Sequence, residues 1–466
     1  MTVQTQKNLK TVGVLCLVIL VQICAVPVRA GATSTVPLWA FDTGVTVSDV
    51  AVSSDGRYIA AEAGASTLLF DREITKPVWS YENGRAFLAM SSDGERIAAA
   101  SNEGNTVYLL DRDSGKPIWA YYVGDKGYLQ TVAISSDGNY VAAGSDESAL
   151  YLFSSANREP LWKHKFTLGA VTFVSITSDG AYVVVAPAYT IYLFSRDDGK
   201  WPLWRVSIPD ESDFQGVAIS ADGTYIAAAT HRAPGSDLVY LFKRGVKEAL
   251  WSYKIEGIVD SIDISSDGEY TAVGTIGKEY TGIYVFSNRD GAQLWRYPTN
   301  DDVYSVALSS NGEYLAAGSI DHGVYMFNKN NAAPLWTYMA GDYIYDVAIS
   351  SDGEYVAAAS LDEKVYLFSR EIRTPSTTTE SQSHTTHYQT VSSKTEESST
   401  PVWTELSGPL TAVALVTIAA LLLYVRFQRK EKTKLTSGWK YCVNCRCKLP
   451  TNAAFCDACG TKQTEG

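Results

Sequence analysis

The sequence predicts an all-β protein: an eight-bladed β-propeller closed by pairing of its N- and C-terminal strands, followed by one transmembrane helix and a small metal-binding tail. Three observations carry that reading. A Ser-x-Asp-Gly-like turn recurs, centred on Asp55, Asp93, Asp137, Asp179, Asp222, Asp267, Asn311 and Asp352. Each turn joins two alternating apolar stretches and is followed by a "VYLF"-type stretch, which gives four short strands per repeat. A tryptophan ladder (Trp39, Trp79, Trp119, Trp162, Trp204, Trp251, Trp295, Trp336) runs at the same period.

Asp-Gly between alternating strands is a strong local hairpin signal, because a tight turn needs positive φ. Asn311 replaces Asp in one copy. Asn tolerates the same geometry but carries no charge, so the repeated Asp reads as a bend and not as a catalytic group. Each Trp reads as a packing residue between blades. Trp39 stands alone in "VPLWAF" before the first turn, and "VYLF" at 365–368 has no Trp strand directly after it. The chain therefore opens with the outer strand of a blade whose three inner strands come last. Pairing the two ends completes the eighth blade and removes the open edge.

The motif "SSDGxYVAAGSxD" followed by "VYLF" resembles the inner strands of WD-repeat propellers, although the Gly-His and Trp-Asp dipeptides are missing. "LLDRDSGKPIWAY" (109–121) resembles the outer-strand signature of pyrroloquinoline-quinone-type propellers, which are typically eight-bladed. The resemblance covers residues 36–370. It implies the fold, and not an activity, since both families host enzymes, scaffolds and receptors.

Outside the repeats the chain divides by composition. Residues 1–30 have a basic start, an apolar stretch from Thr11 to Val28, and Val28-Arg29-Ala30, the pattern of a cleaved secretory signal. Retention as a second span is the alternative. The propeller is assigned to residues 31–372. Residues 373–403 form a Ser/Thr-rich stalk that cannot bury a core. Residues 404–425 are the expected transmembrane helix; the uncharged run 407–425 is near the ~20 residues that cross hydrocarbon. The basic segment 426–437 follows, and the positive-inside rule puts it in the cytoplasm. The expected localisation is thus a cell membrane, single-pass, with the propeller extracellular and the tail cytoplasmic.

The net charge of −12 is uneven. Residues 31–425 carry about −21, which argues against nucleic acid as a partner of the ectodomain. No cysteine lies between Cys24 and Cys442, so the propeller has neither disulfides nor thiol chemistry. In residues 438–466, Cys442, Cys445, Cys456 and Cys459 form two Cys-x-x-Cys pairs, the spacing of a structural zinc site, with Cys447 left over. The segment resembles the zinc ribbons that end many prokaryotic, especially archaeal, proteins. The resemblance implies a closed tetrathiolate site and contact with a cytoplasmic protein.

Alternating connections give the propeller two unlike faces. One carries the near-identical Asp-Gly turns. The other is irregular, with longer stretches at 230–237 and 275–282, and gathers Tyr122, Tyr128, Asp213, Phe214, Asp302, Tyr304, Asp342, Tyr343 and Tyr345. Contact residues concentrate on loops held by rigid scaffolds, so this face is expected to bind an extracellular protein or other ligand. Catalytic motifs are absent, and His164, His231 and His322 fall in different blades. No enzyme activity and no cofactor in the propeller are expected. The alternatives are a membrane-tethered quinone-dependent oxidoreductase and a passive envelope or adhesion component.

Overall fold

The computed structural model describes residues 33–125, 127–208, 213–231, 237–277 and 280–374, together with two short strands near the C-terminus, Trp439–Tyr441 and Lys448–Pro450. The chain divides into two compact units, Met1–Ser376 and Thr377–Gly466. The signal, most of the stalk, the predicted span 404–425 and all seven cysteines lie outside the described residues. Among the described residues no helix is long and apolar enough to cross a membrane.

The first unit holds eight four-stranded antiparallel sheets. Blade 1 shows the plan: β2 (Val47–Val52) is innermost, then β3 (Tyr58–Ala63), β4 (Ser66–Asp71) and the outer β5 (Trp79–Glu82). The last three inner strands, Ile344–Ile349, Tyr355–Ser360 and Lys364–Ser369, receive β1 (Trp39–Asp42) as their outer strand, in the register Trp39↔Leu367 to Asp42↔Lys364. The predicted ring closure is therefore present. An N-terminal strap extends it: Ser34 bridges Thr337 in parallel on the outer edge of blade 7, and Val36 N–H donates to the Arg373 carbonyl at 3.1 Å. Both ends of the propeller chain thus lie side by side on the Asp-Gly face.

Blades are held by repeated, sequence-encoded contacts. The Trp of one blade packs on the Phe of the next, as in Trp39–Phe70 (5.3 Å), Trp119–Phe153 (5.2 Å) and Trp336–Phe368 (5.2 Å). Each ladder Trp also donates its indole N–H to a backbone carbonyl of the following blade, from Trp39 to Arg72 through Trp336 to Arg370. A buried indole needs such a partner, and here every one has it. The small residues of the second strands, such as Ala60, Ala99, Ala143 and Ala358, let sheets approach face to face.

The recurring turn is a structural bend. Asp179 Oδ1 accepts from Ala181 N–H and from the Thr177 hydroxyl, both at 2.9 Å, and the backbone bond to Ala181 leads the influences that hold its carboxyl below the ordinary range. Asn311 Oδ1 makes the same pair of bonds, to Glu313 N–H and Ser309 Oγ, both at 3.0 Å. The turn glycine is needed twice. Gly56 has φ +66°, and a Cβ there would meet the ring of Tyr355 from blade 8 at 2.3 Å. Arg72 of blade 1 stacks over that same ring at 4.1 Å. Backbone bonds between successive turns form a belt around the axis, from Ser54 N–H to the Ser92 carbonyl onward and back through Ser351 N–H to the Ser54 carbonyl.

Candidate binding site

The axis opens on the irregular face. There the innermost strands surround a cavity of about 430 Å³ to which all eight blades contribute. Its shape comes from a break in strand alternation. In blades 1, 3, 5, 6, 7 and 8 the register of the innermost strand shifts by one residue near its start. The extra residues are Ser48, Gln130, Gln215, Asp260, Tyr304 and Tyr345, and every one lines the cavity. A bulge inserts an unpaired residue and re-aims its side chain, so six blades spend pairing regularity on presenting a polar or aromatic group to the opening. Blade 2 pairs without a shift, Ala86↔Ser101 and Phe87↔Ala100, and offers Phe87 instead. A recess of about 200 Å³ lies beside it, bordered by Asp49, Arg85, Asn102 and Tyr345.

The walls combine aromatics and acids. Tyr304 and Tyr345 meet at 5.6 Å between ring centroids. Burial, reinforced by the Asp302 charge, pushes the Asp260 carboxyl up to about 6. Asp49 and Asp346 hydrogen-bond to each other, and burial raises both, Asp49 well above the carboxylate range. Adjacent carboxyls cannot both ionise cheaply, so the pair holds a shared proton. Asp346 is the better-supported anion: it accepts from Ser305 Oγ at 2.7 Å and Val50 N–H at 3.0 Å.

The residues named from sequence fall around this opening unequally. Tyr304 and Tyr345 line it. Tyr343 is 40% exposed on the same rim, edge-on to His322 at 5.5 Å. Asp342 caps Tyr343 N–H at 2.8 Å, and Asp302 accepts from Gly277 N–H of blade 6 at 2.7 Å, so both also brace their loops. Tyr122 and Tyr128 are exposed on the connection from blade 2 to blade 3, with the Tyr122 hydroxyl donating to Asp125. Asp213 is exposed at the entry of blade 5. Phe214 is not on the surface: it is 3% exposed and packs with Trp204, Val217 and Phe242. Parts of the longer stretches 230–237 and 275–282 lie outside the described residues.

Ser48, Asp49, Gln130, Gln215, Asp260 and Asp346 were not singled out from sequence. Their signal was available. Two residues, where alternation allows one, separate the large apolar positions in "VSDV", "LQTV", "FQGV", "VDSI", "VYSV" and "IYDV".

Two family models match the chain: one described as outer membrane protein assembly factor BamB, a PQQ-type model, over residues 28–205 and 103–257, and the WD domain, G-beta repeat, over 291–328 and 333–369. The chain is a WD/PQQ-like β-propeller. The second WD match takes the outer strand of blade 7 with the three inner strands of blade 8, the repeat phase that ring closure requires. Among solved structures the propeller is similar to Chaetomium thermophilum Sqt1 bound to the N-terminus of ribosomal protein L10 (15% identity, TM-score 0.61, 72% of this chain and 100% of that one). It is similar also to Chaetomium thermophilum Sqt1 alone (14% identity, TM-score 0.61, 72% and 98%). Identity at that level shows the fold alone. No curated protein matches the chain.

Cys442, Cys445, Cys456 and Cys459 lie outside the described residues. The strands Trp439–Tyr441 and Lys448–Pro450 pair antiparallel, with Tyr441 opposite Lys448, and the segment joining them contains the first Cys-x-x-Cys pair.

Proposed function

We propose that this propeller is a cell-surface binding scaffold or receptor whose irregular face takes an extracellular protein or other ligand. The bulged ring carries the reading: six innermost strands interrupt their pairing to aim side chains at one opening, while both chain ends leave from the opposite face. In this reading residues 1–30 direct secretion and 404–425 span the membrane. Residues 438–466 form a cytoplasmic zinc ribbon that contacts a partner protein. Two Cys-x-x-Cys pairs at this spacing suit a tetrahedral zinc site; Cys442, Cys445, Cys456 and Cys459 would hold the ion, which would supply structure and leave no open position for catalysis.

The test is cross-linking on intact cells with the full chain and with a triple variant, Asp302→Lys, Asp342→Lys and Tyr345→Ala. The scaffold reading expects a specific cross-linked partner that the triple variant loses. Undiminished capture by the variant removes the face assignment. The PQQ-type match favours one second reading, a membrane-tethered quinone-dependent oxidoreductase. Saturable uptake of pyrroloquinoline quinone with calcium, accompanied by dye-linked turnover, would select it.

A further inference from the structure

One position sets blade 1 apart from its sisters. Opposite the residue that follows the bulge of the innermost strand, five other blades place Gly144, Ala229, Gly274, Gly318 or Ala359, and blade 2, which has no bulge, places Ala100 opposite Phe87. Blade 1 places Glu62 there, opposite Asp49 and with no solvent exposure. Its Oε2 accepts from Thr67 Oγ1 at 3.0 Å, and its buried Oε1 has no hydrogen-bond partner in the structure. A glutamate in a slot shaped for a methyl group or a hydrogen is costly when charged.

Glu62 stands beside the shared-proton pair, and the three carboxyls stitch successive blades. Asp346 of blade 8 accepts from Ser305 of blade 7 and from Val50 N–H of blade 1. Asp49 of blade 1 accepts from Leu88 N–H of blade 2 at 3.0 Å, and the Ala86 N–H of blade 2 acts to lower the Glu62 carboxyl against its burial. Other charged groups reach the cluster only from its margins. Arg85 and Glu103 act on Glu62 with opposite signs, and Asp260 with Asp302 stands at the same opening. The Tyr345 phenol borders the recess next to Asp49. Blade 8 is also where the chain ends meet, so the cluster sits on the ring's closing seam.

We propose that Asp49, Asp346 and Glu62 form a proton-held clasp on this seam: while the protons stay, blades 8, 1 and 2 are stitched at the irregular face, and when they leave, repulsion parts those blades beside the axial cavity. The clasp is tightest in acid, loosens progressively as pH rises above about 4.5, and is fully released above about 8. It does not depend on which ligand the face takes.

Amide hydrogen exchange of the full chain between pH 6 and pH 9.5, corrected for intrinsic rates, tests the clasp. Peptides covering Val47–Val52, Ala86–Met90 and Ile344–Ile349 are expected to lose protection up to about tenfold per pH unit between pH 6 and about 8 and to level off above that, while Asp213–Ile219 holds. Glu62→Gln and Asp49→Asn should each abolish most of that loss, and Glu62→Ala, the residue of sister blades, serves where Asp49→Asn fails to fold. Equal pH response at the seam and at blade 5 would overturn the proposal, as would a seam that loosens identically in wild type and Glu62→Gln.

Discussion

Replacing Trp39 by alanine tests the ring where its two ends meet. Trp39 is 7% exposed, packs on Phe70 of blade 1 at 5.3 Å, and donates its indole N–H to the Arg72 carbonyl at 3.0 Å. A buried Trp removes roughly 200 Å² from water, worth roughly 5 kcal/mol at about 25 cal/mol per Å². Measured Trp→Ala losses in cores run at about 3–5 kcal/mol, so Trp39→Ala should cost about 4 kcal/mol. Trp39→Phe keeps a ring against Phe70 and gives up the N–H bond and some area, for about 1–2 kcal/mol. Trp201, 57% exposed and outside the ladder, is the control: Trp201→Ala should stay within about 0.5 kcal/mol. Guanidinium titration of the full chain, followed by far-ultraviolet circular dichroism, reads all three. A Trp39→Ala loss below about 1 kcal/mol, or no larger than that of Trp201→Ala, would refute the reasoning.

Three further outcomes follow from particular residues. Burial pushes Glu62 from 4.5 to about 8, so the folded state keeps a proton that the unfolded chain gives up. Its contribution is intact below pH 4.5 and declines by about 1.4 kcal/mol per unit as pH rises through about 8, roughly 5 kcal/mol in all. Glu62→Gln should match wild type in thermal melts at pH 5 and exceed it by several degrees at pH 9; parallel profiles would exclude a buried, titrating Glu62. Asp179→Asn should be near neutral in melting temperature, as Asn311 already shows in its own turn, whereas Asp179→Ala should cost about 1 kcal/mol; an Asn variant as damaging as Ala would mean the charge matters. Removing Cys442 and Cys459 together should abolish bound zinc in metal analysis of the full chain and leave the propeller's melting temperature unchanged, and a full chain purified without zinc would sink the ribbon.

Much of the fold was legible because its determinants are local and repeated. Asp-Gly bends, the Trp positions and a lone Trp strand at the front fixed blade count, phase and closure from spacing alone. The site was less legible because it depends on departures from the repeat. A one-residue bulge reverses which side chains face inward, so Phe214, read as a rim residue, packs into the core, and Gln215 behind it reaches the opening. Tyr304 and Tyr345 were found because their type was conspicuous. Asp49, Asp346 and Glu62 were not, because three acids distant in sequence meet only once blade 8 is joined to blade 1. The strap across blade 7 was hidden for another reason: "ATSTV" has no strong strand pattern, and its pairing partner lies at the far end of the repeats.

Ring closure is tested most directly by a cysteine pair at Asp42→Cys and Lys364→Cys, which face each other across the closing strands. Antiparallel partners stand about 4.5–5.5 Å apart at Cα, within reach of a disulfide, and the propeller has no cysteine of its own to compete. Mild oxidation of the full chain should yield one intramolecular link between peptides containing positions 42 and 364. Free thiols throughout, or links only between separate chains, would show that the first strand does not complete the last blade.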